Sequence, residues 1–395
     1  MKNIRRKANY YQELRTMSQA ELVAERAKTA INGQDFLPMK GIDHIEFYVG
    51  NAKQSAYYYR SAFGFKLTGY AGLETGLRDR ASYVLEQGKV RIILTTPLTQ
   101  DHSINGMLAK HGDGVSVIAI EVDDVEKSFR ETTKRGAIGV QEPREITDAN
   151  GTYRTASIRT YGDTIHTFVD RKKYKGFAPG YRTITSEDPI SRPVGLAAID
   201  HIVGNVGWNQ MDTWVKWYEE IMGFHLFVSF DDKDISTEYS ALMSKVVASG
   251  SEKIKFPINE PATGKKKSQI EEYIEWYNGP GAQHIAIATG NIIESVTKLT
   301  AQGVEFLKVP SSYYEELESR VGKINEPVEE LAKLGILVDR DDDGYMLQIF
   351  TKPVEDRPTL FFEIIQRRGG RSFGKGNFKA LFEAIEREQD LRGNL

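Results

Sequence analysis

The chain has seven histidines, His44, His102, His111, His166, His201, His225 and His284, and no cysteine, so any metal site in it must be built from imidazole and carboxylate. His201 in Ala198-Ile-Asp-His201-Ile and His284 in Gly281-Ala-Gln-His284-Ile-Ala-Ile open short apolar runs that read as strands. Glu363 lies in a third such run, Leu360-Phe-Phe-Glu363-Ile-Ile. Strand side chains alternate between faces, so Glu363 shares its face with Phe361 and Ile365. A carboxylate between apolar neighbours is costly to bury unless it is paired or holds a metal. Two imidazoles and one carboxylate make the facial triad that suits non-haem Fe(II) and leaves positions open for ligands and O₂. A lone strand histidine is more often a hydrogen-bonded structural residue, and what raises these above it is a repeat.

Gly41-Ile-Asp-His44-Ile recurs as Ala198-Ile-Asp-His201-Ile, 157 residues on. The amphipathic stretches that follow end in Gly64-Phe65 and Gly223-Phe224, 159 apart; Gly112-Asp-Gly-Val-Ser-Val117 lines up with Gly279-Pro-Gly-Ala-Gln-His284, 167 apart; His166-Thr167 aligns with Phe362-Glu363, 196 apart. Offsets that only grow along the chain indicate duplication followed by insertions in the second half. Each half reads as paired βαβββ modules, an α+β class. In the second half the expected strands are 196–205, 225–230, 239–249, 253–261, 283–288, 305–310, 345–352 and 360–367, with helices over 214–222 and 293–302. A Lys-rich turn with a helix over 265–277 and two short helices over 313–334 read as the insertions. The first half offers Val117 where the second has His284 and Thr167 where it has Glu363, so one metal site per chain is expected, and His44 is given a structural role.

The expected organisation is a helical N-terminal extension over 1–35 (its helix Ser18 to Ala30), a domain without metal over 36–178, a Pro- and Gly-rich linker over 179–196, and a catalytic domain over 197–395. Phe378, Leu381, Phe382 and Ile385 fall on one face of a terminal helix, which reads first as a helix packed on its own core; because the glycine-rich stretch 369–376 before it can hinge, a lid over a site is the second reading.

Of the 395 residues, 52 are Lys or Arg and 55 Asp or Glu, interspersed, which argues against a nucleic-acid partner. Mean hydropathy is −0.43, and no apolar run is long enough to span a bilayer. The basic start lacks the apolar core of a secretory signal, so a cytoplasmic protein is expected. Asp339-Arg-Asp341-Asp-Asp343-Gly344 opens like a calcium loop, but Phe350 stands where its bidentate Glu belongs; it reads as an acidic turn. Gly264-Lys-Lys-Lys-Ser lacks the upstream glycine of a phosphate loop and reads as a solvated turn.

Several separate motifs, in order, resemble the 4-hydroxyphenylpyruvate dioxygenase family: His201-Ile-Val-Gly-Asn, Phe256-Pro-Ile-Asn259-Glu-Pro, Lys267-Ser-Gln269-Ile, Gly281-Ala-Gln283-His284, Gln348-Ile-Phe350-Thr-Lys-Pro, Phe361-Phe-Glu363-Ile-Ile-Gln-Arg and Gly374-Lys-Gly-Asn377-Phe378. The likeness covers the chain beyond its first ~35 residues, the least constrained part. It implies a vicinal-oxygen-chelate (glyoxalase/bleomycin-resistance-like) fold, two domains of paired βαβββ modules forming open barrels. It further implies an Fe(II) enzyme that converts 4-hydroxyphenylpyruvate and O₂ to homogentisate and CO₂ in tyrosine breakdown, with His201, His284 and Glu363 as iron ligands. Matching motifs put Ser244, Asn259, Gln269 and Gln283 around substrate and metal, with Gln348 contributing similarly. Phe350 and Phe378 would flank the aromatic ring, Phe361 and Phe373 would complete the apolar wall, and Asn377 would begin the lid helix. Core packing is the competing reading for each Phe, and backbone satisfaction for each polar residue.

Within the same family, hydroxymandelate synthase takes the same substrate and hydroxylates the benzylic carbon; it resembles this chain with Thr in place of Asn259. A non-catalytic binding protein of this fold would have no need of a triad with an open face, and a glyoxalase-like or extradiol metalloenzyme would lack the lid motif. A homodimer or homotetramer is expected from base rates alone.

Overall fold

The computed structural model describes residues 35–231, 237 and 239–394. All but the last residue of the N-terminal extension, including the helix expected over Ser18 to Ala30, lies outside them. The first half runs β1 (Met39–Tyr48), α1 (Ala52–Ser61), β2 (Lys66–Ala71), β3 (Arg80–Gln87), β4 (Val90–Pro97), α2 (Ile104–His111), β5 (Gly114–Val122), α3 (Val125–Lys134), β6 (Gly139–Asp148), β7 (Gly151–Arg159), β8 (Ile165–Tyr174) and β9 (Arg182–Thr183). The second runs β10 (Leu196–Asn205), α4 (Met211–Met222), β11 (His225–Phe230), β12 (Ala241–Ala248), β13 (Lys255–Ala262), α5 (Gln269–Tyr277), β14 (Gly281–Thr289) and α6 (Ile292–Ala301). It continues through α7 (Ser312–Glu315), α8 (Leu317–Val321), α9 (Val328–Leu334), β15 (Leu337–Asp341), β16 (Gly344–Phe350), β17 (Phe361–Arg368) and α10 (Phe378–Leu391).

Two mixed sheets result, ordered β6-β7-β8-β5-β1-β4-β3-β2-β9 and β11-β12-β13-β10-β14-β17-β16-β15. Apart from β9, one order is the other read backwards, strand for strand. In each, an antiparallel pair of first strands (β1 with β5, β10 with β14) is flanked by parallel partners (β4 and β8, β13 and β17). Helix starts repeat as well. Asp124 caps α3 by accepting from the Lys127 amide at 2.9 Å, and Asn291 caps α6 by accepting from the Glu294 amide at 3.2 Å. Ser268 and Glu271 form a reciprocal capping box that starts α5, so the Lys-rich turn ends in a fixed helix with Gln269 as its first residue.

The halves share one continuous apolar core. Tyr59 of α1 and Phe63 just after it meet Phe362 of β17 at ring-centroid distances of 5.9 and 5.0 Å. Gln87 accepts from the amides of Val194, Gly195 and Leu196 and so pins the start of β10 to the end of β3.

Two expectations about the second half need correction. The segment 305–310 is not a strand: it makes one bridge, Phe306 to Thr351, with Leu307 N donating to Phe350 O, and Pro310 follows. The place of that strand in the sheet is taken by β15, which pairs with β16 after the insertion. The insertion itself carries three short helices rather than two.

Candidate metal centre

His201, His284 and Glu363 stand on β10, β14 and β17, three neighbouring strands, and the register puts them on one face. His201 is opposite Ala286, and Ala286 is opposite Glu363; His284, two residues before Ala286 on β14, lies between Val203 and Phe361. The three side chains therefore surround Ala286, whose own side chain is a single methyl group. Their donor atoms lie within 4.8 Å of one another. His201 Nε2 is 3.2 Å and His284 Nε2 3.5 Å from the same oxygen, Glu363 Oε2.

Each imidazole is oriented by the residue before it. His201 Nδ1–H donates to Asp200 Oδ1 at 2.8 Å, and His284 Nδ1–H to Gln283 Oε1 at 3.1 Å. Both Nε2 lone pairs are left facing the carboxylate, the tautomer a metal ligand needs. Asp200 is gripped by Arg367, two bonds of 2.8 Å each, and Arg367 also donates to the carbonyls of Gly370 and Ser372, where the chain leaves β17 for the lid. Burial pushes the Asp200 carboxyl up, but Arg367 and His201 outweigh it and hold it far below the usual range. Burial likewise works against a charged Glu363, and the two imidazoles reverse that. His284 is pushed down by burial, whereas at His201 the Glu363 and Asp200 carboxylates more than offset burial and raise it.

Glu363 Oε1 is buried and has no hydrogen-bond partner. An unpaired carboxylate oxygen at such depth, beside two converging imidazoles, fits a divalent cation and fits a plain core poorly. Among the described residues this is the one group of three or more His and carboxylate donors so arranged.

The other residues singled out have the following partners. Ser244 is opposite Asn259 on β12 and β13, and Asn259 Nδ2 donates to Asn205 Oδ1 at 3.4 Å. Phe350 lies opposite Glu363, with its ring edge-on to His284 at 5.9 Å, and Phe361 stacks on His284 at 4.7 Å. Phe373 meets His201 at 5.0 Å. Phe378 meets Phe230 at 5.1 Å and belongs to a different apolar cluster from Phe350. Gln348 is buried against Gly374, where a Cβ would fall 2.4 Å from Gln348 Nε2 and φ is +78°, so glycine is required there. Asn377 is fully buried and accepts from the Tyr313 hydroxyl at 2.6 Å. Gln269 and Gln283 line one small cavity together with Phe361.

Sequence reasoning passed over the brace and the anchors. Asp200 and Arg367 sit inside the repeated motifs, as Asp43 and Arg171 do in the first half, and that recurrence was the available signal. The acidic turn ties the hairpin to the lid segment. Asp341 accepts from the amides of Asp343 and Gly344 in its own hairpin and of Arg371 and Ser372 beyond β17. Asp339 accepts from Gly376. At the far end of α10, Arg392 and Asn394 both bind Glu272 of α5.

The first half holds the control site. His44 is opposite Ala119, and Ala119 is opposite Thr167; Val117 takes the place of His284. His44 Nδ1 bonds Asp43 at 2.6 Å, Arg171 pairs with Asp43 and binds the Phe177 carbonyl, and the Phe177 ring meets His44 at 5.1 Å.

Residues 41–163 and 198–349 match the Glyoxalase/Bleomycin resistance protein/Dioxygenase superfamily. The 4-hydroxyphenylpyruvate dioxygenase of Yarrowia lipolytica is 52% identical over 369 residues, 90% of this chain and 94% of the relative. That of Dictyostelium discoideum is 52% identical over 367 residues, 90% of this chain and 100% of the relative. Among solved structures, a triple mutant of 4-hydroxymandelate synthase from Streptomyces coelicolor aligns with a TM-score of 0.80 at 31% identity, covering 89% of this chain and all of that one. With two duplicated half-barrel sheets, one of which carries a His-His-Glu triad, the chain belongs to the 4-hydroxyphenylpyruvate dioxygenase family.

Proposed function

We propose that this chain converts 4-hydroxyphenylpyruvate and O₂ to homogentisate and CO₂, with Fe(II) held by His201, His284 and Glu363. The observation that carries the metal assignment is the orphaned, buried Glu363 Oε1 beside two imidazoles whose Nε2 atoms face the same carboxylate. The iron, when bound, supplies the open positions at which the 2-oxo acid and O₂ meet and the electrons that activate O₂. The reaction balances with no second oxo acid: one oxygen atom ends in the new carboxylate and the other in the ring hydroxyl.

The protein's own contribution is orientation and dryness. Asp200 and Gln283 fix the two imidazoles. Ser244, Asn259, Gln269, Gln283 and Gln348, all buried, are the polar groups proposed to hold the oxo acid and the phenol. Phe350 and Phe378, in separate clusters, suit an aromatic ring between them, and Phe361 and Phe373 wall off solvent from the imidazoles they touch. Helix α10, tied at both ends, acts as the lid. No helix among the described residues is long and apolar enough to cross a membrane. A cytoplasmic homodimer or homotetramer, divided into domains at about residues 179–196, is proposed on the sequence evidence alone.

The sister reaction, benzylic hydroxylation, is the second reading, since the aligned solved structure carries that name at 31% identity. The 52% identity to 4-hydroxyphenylpyruvate dioxygenases favours ring hydroxylation. The deciding experiment reconstitutes the apoprotein anaerobically with Fe(II), adds 4-hydroxyphenylpyruvate and O₂, and identifies the product by mass and NMR. Homogentisate is expected. 4-Hydroxymandelate would move the function to the sister enzyme, and absence of O₂ uptake would overturn the assignment.

A further inference from the structure

Beneath helix α10, between it, α5 and the loop 351–359, lies a cavity with about 30 Å³ of free space. None of the three triad residues lines it. It shares Gln269, Gln283 and Phe361 with the proposed substrate pocket, and its lining also includes the half-buried Glu388 and the exposed Arg392. Phe361 is the shared wall, its ring stacked on His284. The apolar part of its lining is Leu307, Pro353, Pro358, Phe361 and Ile385.

Apart from the Gln269 side-chain amide and Gln283 Nε2, the polar groups along it are engaged with protein partners, Glu388 among them through Lys352. Glu272 is bound by Arg392 and Asn394; the Tyr273 hydroxyl donates to the Ala282 carbonyl. Thr351 Oγ1 accepts from the Phe362 amide, and Thr359 Oγ1 donates to Glu355. A buried water needs two to four free polar partners, and a space of this volume holds only one or two molecules of water's size. The space against Leu307, Pro353, Pro358, Phe361 and Ile385 therefore suits a small apolar molecule better than water. The Arg392–Glu272 pair fastens the C-terminal end of α10 to α5, so the space persists while the lid is shut.

We propose that this cavity is a binding and transit site for a small apolar gas, by which O₂ enters or CO₂ leaves while α10 stays closed over the organic substrate. The identity of the gas rests on the reaction proposed above; the existence of the site does not. The first test is xenon, applied under pressure to crystals of the full chain, which reads the cavity whether or not the enzyme turns over. Density between Leu307 and Ile385 is expected. An ordered water there that xenon does not displace would overturn the proposal.

The second test narrows the space with Ile385→Phe, and independently with Leu307→Phe, checking the fold of both by circular dichroism. The expected result is a fall of about fivefold or more in kcat/KM for O₂, with KM for the organic substrate unchanged, if the gas is O₂ on its way in. A fall in kcat at saturating O₂, with kcat/KM for O₂ unchanged, would mark CO₂ on its way out. Folded variants with wild-type values of both would overturn the transit role. If the wild type consumes no O₂ with 4-hydroxyphenylpyruvate, the functional reading has failed, and xenon alone decides whether the site exists.

Discussion

The two sheets keep the same brace and differ in what the brace surrounds. In the second half Asp200, His201, Arg367 and Phe373 form a connected set; in the first half Asp43, His44, Arg171 and Phe177 form its counterpart, with the same Asp–His, Asp–Arg and His–Phe contacts. Even the small residue at the centre is kept, Ala286 in one and Ala119 in the other. What differs is two side chains, Val117 for His284 and Thr167 for Glu363. In the first half Thr167 bonds Ser157 at 2.9 Å, and Glu46 accepts from Thr95, so neither group is turned to His44 as Glu363 is to His201. The pair of Asp and Arg is thus a device of this fold for fastening the end of the first strand to the segment that leaves the last one. The metal site uses that device without being the reason for it.

The largest effect should come from removing ligands in one half and their relic in the other. His201→Ala, His284→Ala or Glu363→Ala should abolish iron binding and turnover, whereas His44→Ala should leave metal content, measured by elemental analysis, at one per chain. Equal iron loss in the His44 variant would erase the contrast between the halves. Next in size is a gain. Val117→His with Thr167→Glu restores donors above Ala119 beside a braced His44, and should raise cobalt stoichiometry toward two per chain by titration. A ratio that stays at one would show that the retained brace is not enough.

A smaller difference should separate the two aspartates. Asp200→Asn should weaken metal binding about 10- to 100-fold, the usual cost of losing a partner of a ligating histidine. Asp43→Asn should leave metal affinity alone and lower the unfolding midpoint in denaturant, since Arg171 then loses its buried partner. The smallest effect is a pH dependence. His166, fully buried where the second half has Phe362, is pushed down by burial to about 4. The unfolded chain takes up that proton near pH 6.5 and the folded chain only near 4, so stability should fall as pH drops through this window. His166→Gln should flatten that part of the stability curve if its fold is kept.

Much of this is legible in the amino-acid sequence. The growing offsets of the repeat give the strand equivalences, and the observed register places Thr167 and Glu363 at the same point of their sheets. The triad can be read because imidazole and carboxylate are seldom set into apolar strands without a partner or a metal to offset their burial. Segment 305–310 misleads because Phe306 and Leu307 have strand-like character, but the insertion that follows hands the sheet position to Leu337–Asp341, a choice set by pairing far along the chain. Asp341 looks like a failed calcium ligand because its partners, the amides of Arg371 and Ser372, are 30 and 31 residues away and carry no side-chain signal. The cavity under α10 exists only after the terminal helix docks, so no local pattern announces it.

The placement of the ligands on three consecutive strands has a kinetic consequence. A strand that slips by one residue turns its side chains to the opposite face, and the pairing that carries the three residues is unbroken, His201–Val203 of β10 against His284–Ala286 of β14 and His284–Ala288 of β14 against Phe361–Ile365 of β17. The donor triangle therefore does not breathe open from below. An ion seated on it leaves only upward, past Phe373 and the segment that Arg367 and Asp341 hold down. Exchange with a chelator should then be limited by how often that cover lifts rather than by the strength of the three bonds, so that affinity and residence time of the metal become separately adjustable properties of the same fold.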